Sequence, residues 1–266
     1  MSIVINKIKE EIPGVKTVSW ADNDPKVKYV TDKNKRTRTV RAIVAHTHEG
    51  ILGKILDGIG PNTTIDERLA SYQTQTDRMV SWDYTCDKNG DFTCQNDPLV
   101  DYTWHGNGTN PVSLGIEFIQ NLPSGDLYKE EIDKGVLFID FLTARLGIQR
   151  QIPWDKTKNK PVLTQLRRLA TCEDFVGVCG HVHITSNRGP GDPGPWLFLA
   201  LKEAGYELFD INSEEDKKAW KQRQQQLGLQ TVDGIPLTAT VAALKAAGKK
   251  HGMYIHRPID DLIPER

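Results

Sequence analysis

Two short apolar runs, "TVRAIVAH" at 39–46 and "FVGVCGH" at 175–181, each close on a histidine, with a second histidine two residues further on. Runs of this length, rich in Val and Ile, read as buried strands. Side chains alternate along a strand, so His46 and His48 would share one face, as would His181 and His183. The second pair leads into "ITSNRGPGDPGPW", where Asp192 stands alone in a loop of Gly and Pro. By itself that stretch is open between half of a metal site and a strand running into a turn. The rest of the chain has to supply the missing parts.

Between the two runs lie further strand-like segments. "MVSWDYTC" and "DFTCQ" bracket Asn89-Gly90, a strong hairpin signal. "VDYTWH" (100–105) and "SLGIEFIQ" (113–120) read as two more strands. The segment 128–146 carries Ile132, Val136, Ile139 and Leu146 at helical spacing, with Gly147 just past its end. "TQLRRLA" (164–170) and "WLFLALKEAGY" (196–206) are further helical candidates. Strands interleaved with helices predict an α/β fold, a mixed central β-sheet flanked by helices. Residues 1–40 are polar and mixed, and 49–79 are loop-rich, their scattered glycines matching no phosphate-binding fingerprint. Beyond Asp210 the chain becomes charged and Gln-rich, then "TATVAALKAAGKK" forms a small-residue helix. This places a boundary near residue 210: a large domain over 1–209 and a small helical module over 210–266.

A chain of 266 residues is long enough for a sizeable core. Its 34 basic and 35 acidic residues nearly cancel, which argues against nucleic acid or a membrane surface as a partner. The opening "MSIVINKIKEEIPG" has no apolar core of a secretory signal, and no run approaches the length of a membrane span. The expectation is a protein that is cytoplasmic when made. Cys86, Cys94, Cys172 and Cys179 contain no C-x-x-C pair, and four reduced, partly buried thiols are expected.

Catalytic zinc takes three N or O ligands from the protein and leaves a fourth position for water. His46, His48, His181, His183 and Asp192 are the candidates. Taken singly, each histidine reads as a strand-end or surface residue; two pairs, each closing an apolar strand, favour a shared site. Glu117 sits inside the otherwise apolar "SLGIEFIQ", where an unpaired charge is costly. It therefore reads as lining a cleft, and a carboxylate there suits proton transfer in metal-assisted amide hydrolysis. His105 and Asn110, in "TWHGNGTN", either line the same cleft or cap a loop.

The segments "IVAHTHEG", "SWDYTCDKNGDFTC", "TWHGNGTNPVSLGIEF" and "GHVHITSNRGPGDPGP" resemble, in order and approximate spacing, the zinc N-acetylmuramoyl-L-alanine amidases. That family includes phage amidase lysozymes and animal peptidoglycan recognition proteins, and the similarity covers roughly residues 38–205. The resemblance implies a mixed sheet with Zn2+ at one end, and hydrolysis of the amide joining the lactyl group of N-acetylmuramic acid to L-alanine. It assigns the zinc ligands to His46, His181 and Asp192, the catalytic acid to Glu117, and a place along the substrate groove to His105. A Lys or Thr that steadies the oxyanion in many members is replaced by Pro190, leaving His183 and Arg188 as candidates for that role. Trp82 stands at a hairpin position that is Tyr in some members. His183 stands where the family usually has Asp, which ranks it below His181 as a ligand.

The tail "VDGIPLTATVAALKAAGKKHGM" is similar to small peptidoglycan-binding modules, matching at Asp233, Gly234, Thr240, Ala243 and Leu244 and departing at Leu237. The expected protein is a monomeric lytic amidase acting on bacterial peptidoglycan. A phage endolysin released by a holin ranks ahead of an injected effector or a muropeptide-recycling enzyme. The competing expectations are a non-catalytic peptidoglycan-binding protein of the same fold and a zinc peptidase acting on the stem peptide.

Overall fold

The computed structural model describes residues 2–20, 35–48, 72–73, 80–119, 127–166, 175–185 and 191–210, with 169, 172, 188 and 225 singly. The Gly-rich stretch 49–71, Pro190 and the proposed C-terminal module, save Asp210 and Gln225, lie outside the described residues.

A six-stranded mixed sheet carries the fold. The first apolar run forms β4 (Ala42–Thr47) and "SLGIEF" forms β7 (Ser113–Phe118). The Asn89-Gly90 hairpin joins β5 (Tyr84–Cys86) to β6 (Phe92–Cys94), and the second apolar run forms β10 (Gly177–Gly180). With β3 (Thr17–Ser19) at one edge, the order is β10-β4-β7-β5-β6-β3. β10, β4, β7 and β5 run parallel, while β6 is antiparallel to β5. The carboxyl ends of β10, β4 and β7 therefore fall on one side of the sheet, where ligand sites of open α/β sheets lie.

Alternation along the strands divides the two faces. Ile43, Ala45, Tyr84, Cys86, Phe92, Cys94, Leu114, Ile116 and Phe118 join one core, under helices α1 (Lys129–Leu146) and α3 (Pro195–Glu203). Phe138 of α1 stacks on Phe92 at 3.9 Å between ring centroids and meets Tyr84 edge-on at 5.0 Å. Ala42 and Val44 face the other way, packing with Val112, Leu166, Phe175, Cys179 and Ile184.

Helix α1 matches the expected span, and Gly147 closes it with φ of 67°. Its buried stripe differs from the expected one: Gly135, Phe138, Ile139 and Leu142 are buried, whereas Ile132, Val136 and Leu146 are only partly covered. The stripe rotates because Gly135 admits the Phe118 ring, which a Cβ there would meet at 3.0 Å. Glu131, fully buried, accepts from Ile119 N–H (2.7 Å) and Tyr128 N–H (3.2 Å) and so ties the helix start to the end of β7.

Other expectations are corrected. Segment 100–105 is not a strand: apart from an isolated bridge at Asp101 it is irregular, and a 3-10 helix follows at Asn107–Val112. Residues 164–166 are irregular rather than helical, and most of 167–170 lies outside the described residues. Among the described residues of the first forty lie three short strands, β1 (Ile3–Ile5), β2 (Ile8–Glu10) and β3. The β1–β2 turn is held by the Asp97 carboxylate, which accepts from Asn6 and Lys7 N–H at 2.8 and 2.6 Å. A second small sheet joins β11 (Glu207–Phe209), β8 (Gln151–Asp155) and β9 (Lys160–Pro161). The four cysteines are buried thiols outside any disulfide; across the hairpin Cys86 pairs with Phe92 and Tyr84 with Cys94, so the two hairpin thiols are out of register. No helix among the described residues is long and apolar enough to cross a membrane.

Candidate metal centre

His46, at the carboxyl end of β4, lies beside Glu117 in the β4–β7 register. On the other side of β4, β10 pairs up to Gly180–Ala45 and then stops. The chain turns helical at α2 (His181–Ile184), so the second histidine pair is not on a strand as expected. Residues two apart diverge on a helical turn instead of sharing a face. His181 and His183 are separated accordingly.

The Asp192 loop is fastened to both strand ends. Thr47 donates from its hydroxyl to Gly191 C=O (2.6 Å) and from its N–H to Asp192 Oδ1 (2.9 Å). Val182 N–H donates to Asp192 C=O (2.8 Å). Gly180 permits this approach, because a Cβ at that position would meet Pro193 Cδ at 2.6 Å. With Oδ1 taken by Thr47, Oδ2 is left facing the histidines, 3.1 Å from His181 Nδ1. His46 Nδ1 and His181 Nδ1 are 3.0 Å apart, and ligand atoms of the three residues lie within 4.8 Å of one another.

This donor set fits zinc. Two imidazole nitrogens and one carboxylate oxygen at bond lengths near 2 Å would be separated by about 3.3 Å in a tetrahedron, with one position left open. Metal binding also needs neutral imidazoles. Burial, reinforced by the charges of His181, His105 and Arg188, holds the pKa of His46 well below the ordinary histidine value.

A cleft of about 290 Å³ opens over this group, lined also by Thr47, His48, Tyr72, Val80, Trp82, Trp104, His105, Glu117 and Arg188. Glu117 is largely buried on the cleft face of β7, with Oε1 3.7 Å from His48 Nδ1. The strand does alternate; the face carrying Ser113, Gly115 and Glu117 is the cleft side rather than open solvent. Arg188 Nε stands 3.6 Å from Asp192 Oδ2. Trp82 is pinned by its indole N–H to Thr85 Oγ1 (2.7 Å), while Trp104 is 36% exposed at the cleft.

Three expected site residues sit differently. His183 is outside the cleft lining: its Nδ1 accepts from Gly180 N–H (2.8 Å) and its Nε2 donates to Val162 C=O (2.5 Å). With both ring nitrogens committed it has none to offer an oxyanion, which leaves Arg188 of the two candidates. Asn110 caps its loop, Oδ1 accepting from the N–H groups of His105 (3.2 Å) and Gly106 (2.6 Å). His105 reaches the cleft with its ring engaged to His46, Nδ1 to Nε2 at 3.0 Å. Thr47 and Trp104 line the cleft without having been expected there, and Ser113 and Gly115 lie behind it against the His105 ring. Strand parity with His46 and Glu117 is a signal for Ser113 and Gly115, but nothing local marks Thr47.

Burial of His183 lowers its pKa to about 4, only partly opposed by its bond to Val162. An unfolded histidine titrates near 6.5, so between these values the unfolded chain binds the extra proton. The stability that neutral His183 contributes is thus complete above pH ~6.5 and lost as pH falls through about 4. His183→Gln, whose amide retains a donor and an acceptor, removes this titration. Urea unfolding without metal should show the advantage of wild type over that variant shrinking by about 3 kcal/mol from pH 7 to pH 4. An advantage independent of pH would mean that His183 is not buried neutral.

No protein-family model matches the chain. No curated protein matches it either. Among solved structures it is similar to the endolysin N-acetylmuramoyl-L-alanine amidase LysCS from Clostridium intestinale URNW, at 13% identity and a TM-score of 0.45, over 73% of this chain and 96% of that one. It is also similar to the PlyG catalytic domain, at 14% identity and 0.43, over 72% and 96%. A third is the Drosophila peptidoglycan recognition protein SD, at 19% identity and 0.43, over 69% and 93%. These likenesses are distant, and the reading of the site rests on its own residues.

Proposed function

We propose that this chain is a zinc-dependent amidase that hydrolyses the bond between N-acetylmuramic acid and L-alanine in bacterial peptidoglycan. The observation that carries the reading is the convergence of His46, His181 and Asp192 in one cleft with Glu117, which is paired with His46 on the neighbouring strand. His46 Nδ1, His181 Nδ1 and Asp192 Oδ2 would hold the ion. When bound, zinc supplies Lewis acidity that polarises a carbonyl and acidifies water. Glu117 accepts the proton of the attacking water and delivers it to the departing amine. Arg188 lines the cleft beside Asp192 and would meet the charge that develops on the carbonyl oxygen. Trp82, Trp104 and Tyr72 give the cleft apolar walls suited to a sugar–peptide substrate.

The site is on the 1–209 domain, and the 210–266 module would add affinity for the polymeric wall. An enzyme of this kind, acting as a monomer after release or delivery to the wall, is a lytic one. The test is digestion of purified sacculi by the full chain loaded with zinc. Release of new N-terminal L-alanine from intact glycan strands is the expected result. Cleavage inside the stem peptide would indicate a peptidase instead. Wall binding without products, in a protein that retains no zinc after re-addition, would indicate a binding protein.

A further inference from the structure

His105 bridges the proposed metal ligand and the floor of the cleft. Its Nδ1 lies 3.0 Å from His46 Nε2, and its Nε2 lies 3.2 Å from Ser113 Oγ. Ser113 Oγ in turn lies 2.8 Å from Thr109 C=O. The His105 ring rests on Gly115, where a Cβ would stand 2.8 Å from His105 Cγ, so glycine is what lets the ring lie there. Its backbone N–H is held by Asn110 Oδ1, and Gly115 N–H is held by Asp83 Oδ2. Ring position and contacts are therefore set by β4, β7 and the 3-10 helix, with Asp83 fixing the backbone of Gly115.

This chain of contacts has a direction. A carbonyl only accepts, and Ser113 has one hydroxyl proton, which goes to the nearer Thr109 oxygen. Ser113 Oγ must then accept from His105, so His105 carries its proton on Nε2 and its Nδ1 is an acceptor. His46 must supply the donor, so its proton is on Nε2 and the lone pair on Nδ1 faces His181 and Asp192. In the reverse arrangement Ser113 donates to His105, His105 donates to His46, and a proton occupies the nitrogen that points at the proposed ion.

We propose that His105 and Ser113 form a relay that fixes the tautomer of His46 and so prepares its Nδ1 to bind metal. His105 is then a positioning residue acting through His46 rather than a group that grips substrate. The inference rests on the metal site proposed above. Partners of this kind, behind a ligating histidine, commonly change metal affinity by about 10–100-fold when removed.

The experiment has two readouts on the full chain. Long-range 15N–1H NMR of the metal-free protein reads the tautomers directly, and both His46 and His105 are expected as the Nε2–H form. Finding His105 with its proton on Nδ1 overturns the relay whether or not the protein binds zinc. The second readout is zinc affinity by competition with a chromophoric chelator. His105→Leu should weaken zinc about 10–100-fold and Ser113→Ala about 10-fold, while His105→Gln, able to accept at one atom and donate at the next, should stay near wild type. Thermal unfolding of each variant identifies any that fails to fold, and Ser113→Ala, which removes one atom, keeps the test available. Folded His105→Leu and Ser113→Ala proteins that bind zinc as wild type does overturn the inference. Wild type that binds no zinc overturns the metal site itself, leaving the NMR result to judge the hydrogen-bond relay alone.

Discussion

Glu117→Gln is expected to lower amide hydrolysis by about 10²–10⁴-fold, the usual contribution of a positioned general acid–base group, while leaving one zinc ion per chain. The amide has the volume of the carboxylate, and Glu117 is not among the three residues whose ligand atoms converge. Packing around it should therefore persist. What the substitution removes is the capacity to take a proton from water and return it to the amine. Rates on a soluble muramoyl peptide, measured beside bound zinc, separate that loss from loss of metal. A Gln variant as fast as wild type would move the base elsewhere. His48, whose Nδ1 lies 3.7 Å from Glu117, would be the first residue to test.

Replacing Asp192 should have the larger combined effect, because its two oxygens do two jobs. Oδ2 faces His181, while Oδ1 accepts the Thr47 N–H that fastens the loop to the end of β4. Asp192→Ala is expected to weaken zinc by more than about 100-fold, beyond what loss of an outer partner does. It should also destabilise the fold by about 1–3 kcal/mol, the cost of leaving a buried N–H without its acceptor. Asp192→Asn separates the two: its carbonyl can still serve Thr47, so stability should stay near wild type while zinc binding and hydrolysis fall. Chelator competition and urea unfolding on the two variants check both parts. An Asn variant that keeps wild-type zinc affinity would remove Asp192 from the ligand set.

Much of this site is written in residue types. An acid inside an apolar strand, two histidines after apolar runs and an aspartate among Gly and Pro were legible because each is expensive or unusual where it stands. The long strands β4 and β7 and helix α1 were legible through periodicity and through Gly147. The strands β1, β2 and β3 were not, since three residues are too few to show a period, and β8 carries a proline that argues against a strand. Segment 100–105 looked like a strand from its side chains, yet its backbone bends into the loop that presents His105.

Sequence by itself determined which donor types were on offer: histidines closing two apolar runs and an aspartate as candidates for a metal, a carboxylate within an apolar strand as a candidate for proton transfer. Between His181 and His183 the resemblance alone ranked His181 first, since on a strand both would share a face; the tertiary structure supplies the physical reason. The sheet pairing ends at Gly180 and the chain coils there, which aims His181 at His46 and buries His183 against Val162. Which atom of each residue is available was likewise decided by contacts between distant segments, Thr47 with Asp192 and Ser113 with His105. Hydrogen bonds assign protons and lone pairs only once their partners are in place, and those partners are brought together by folding.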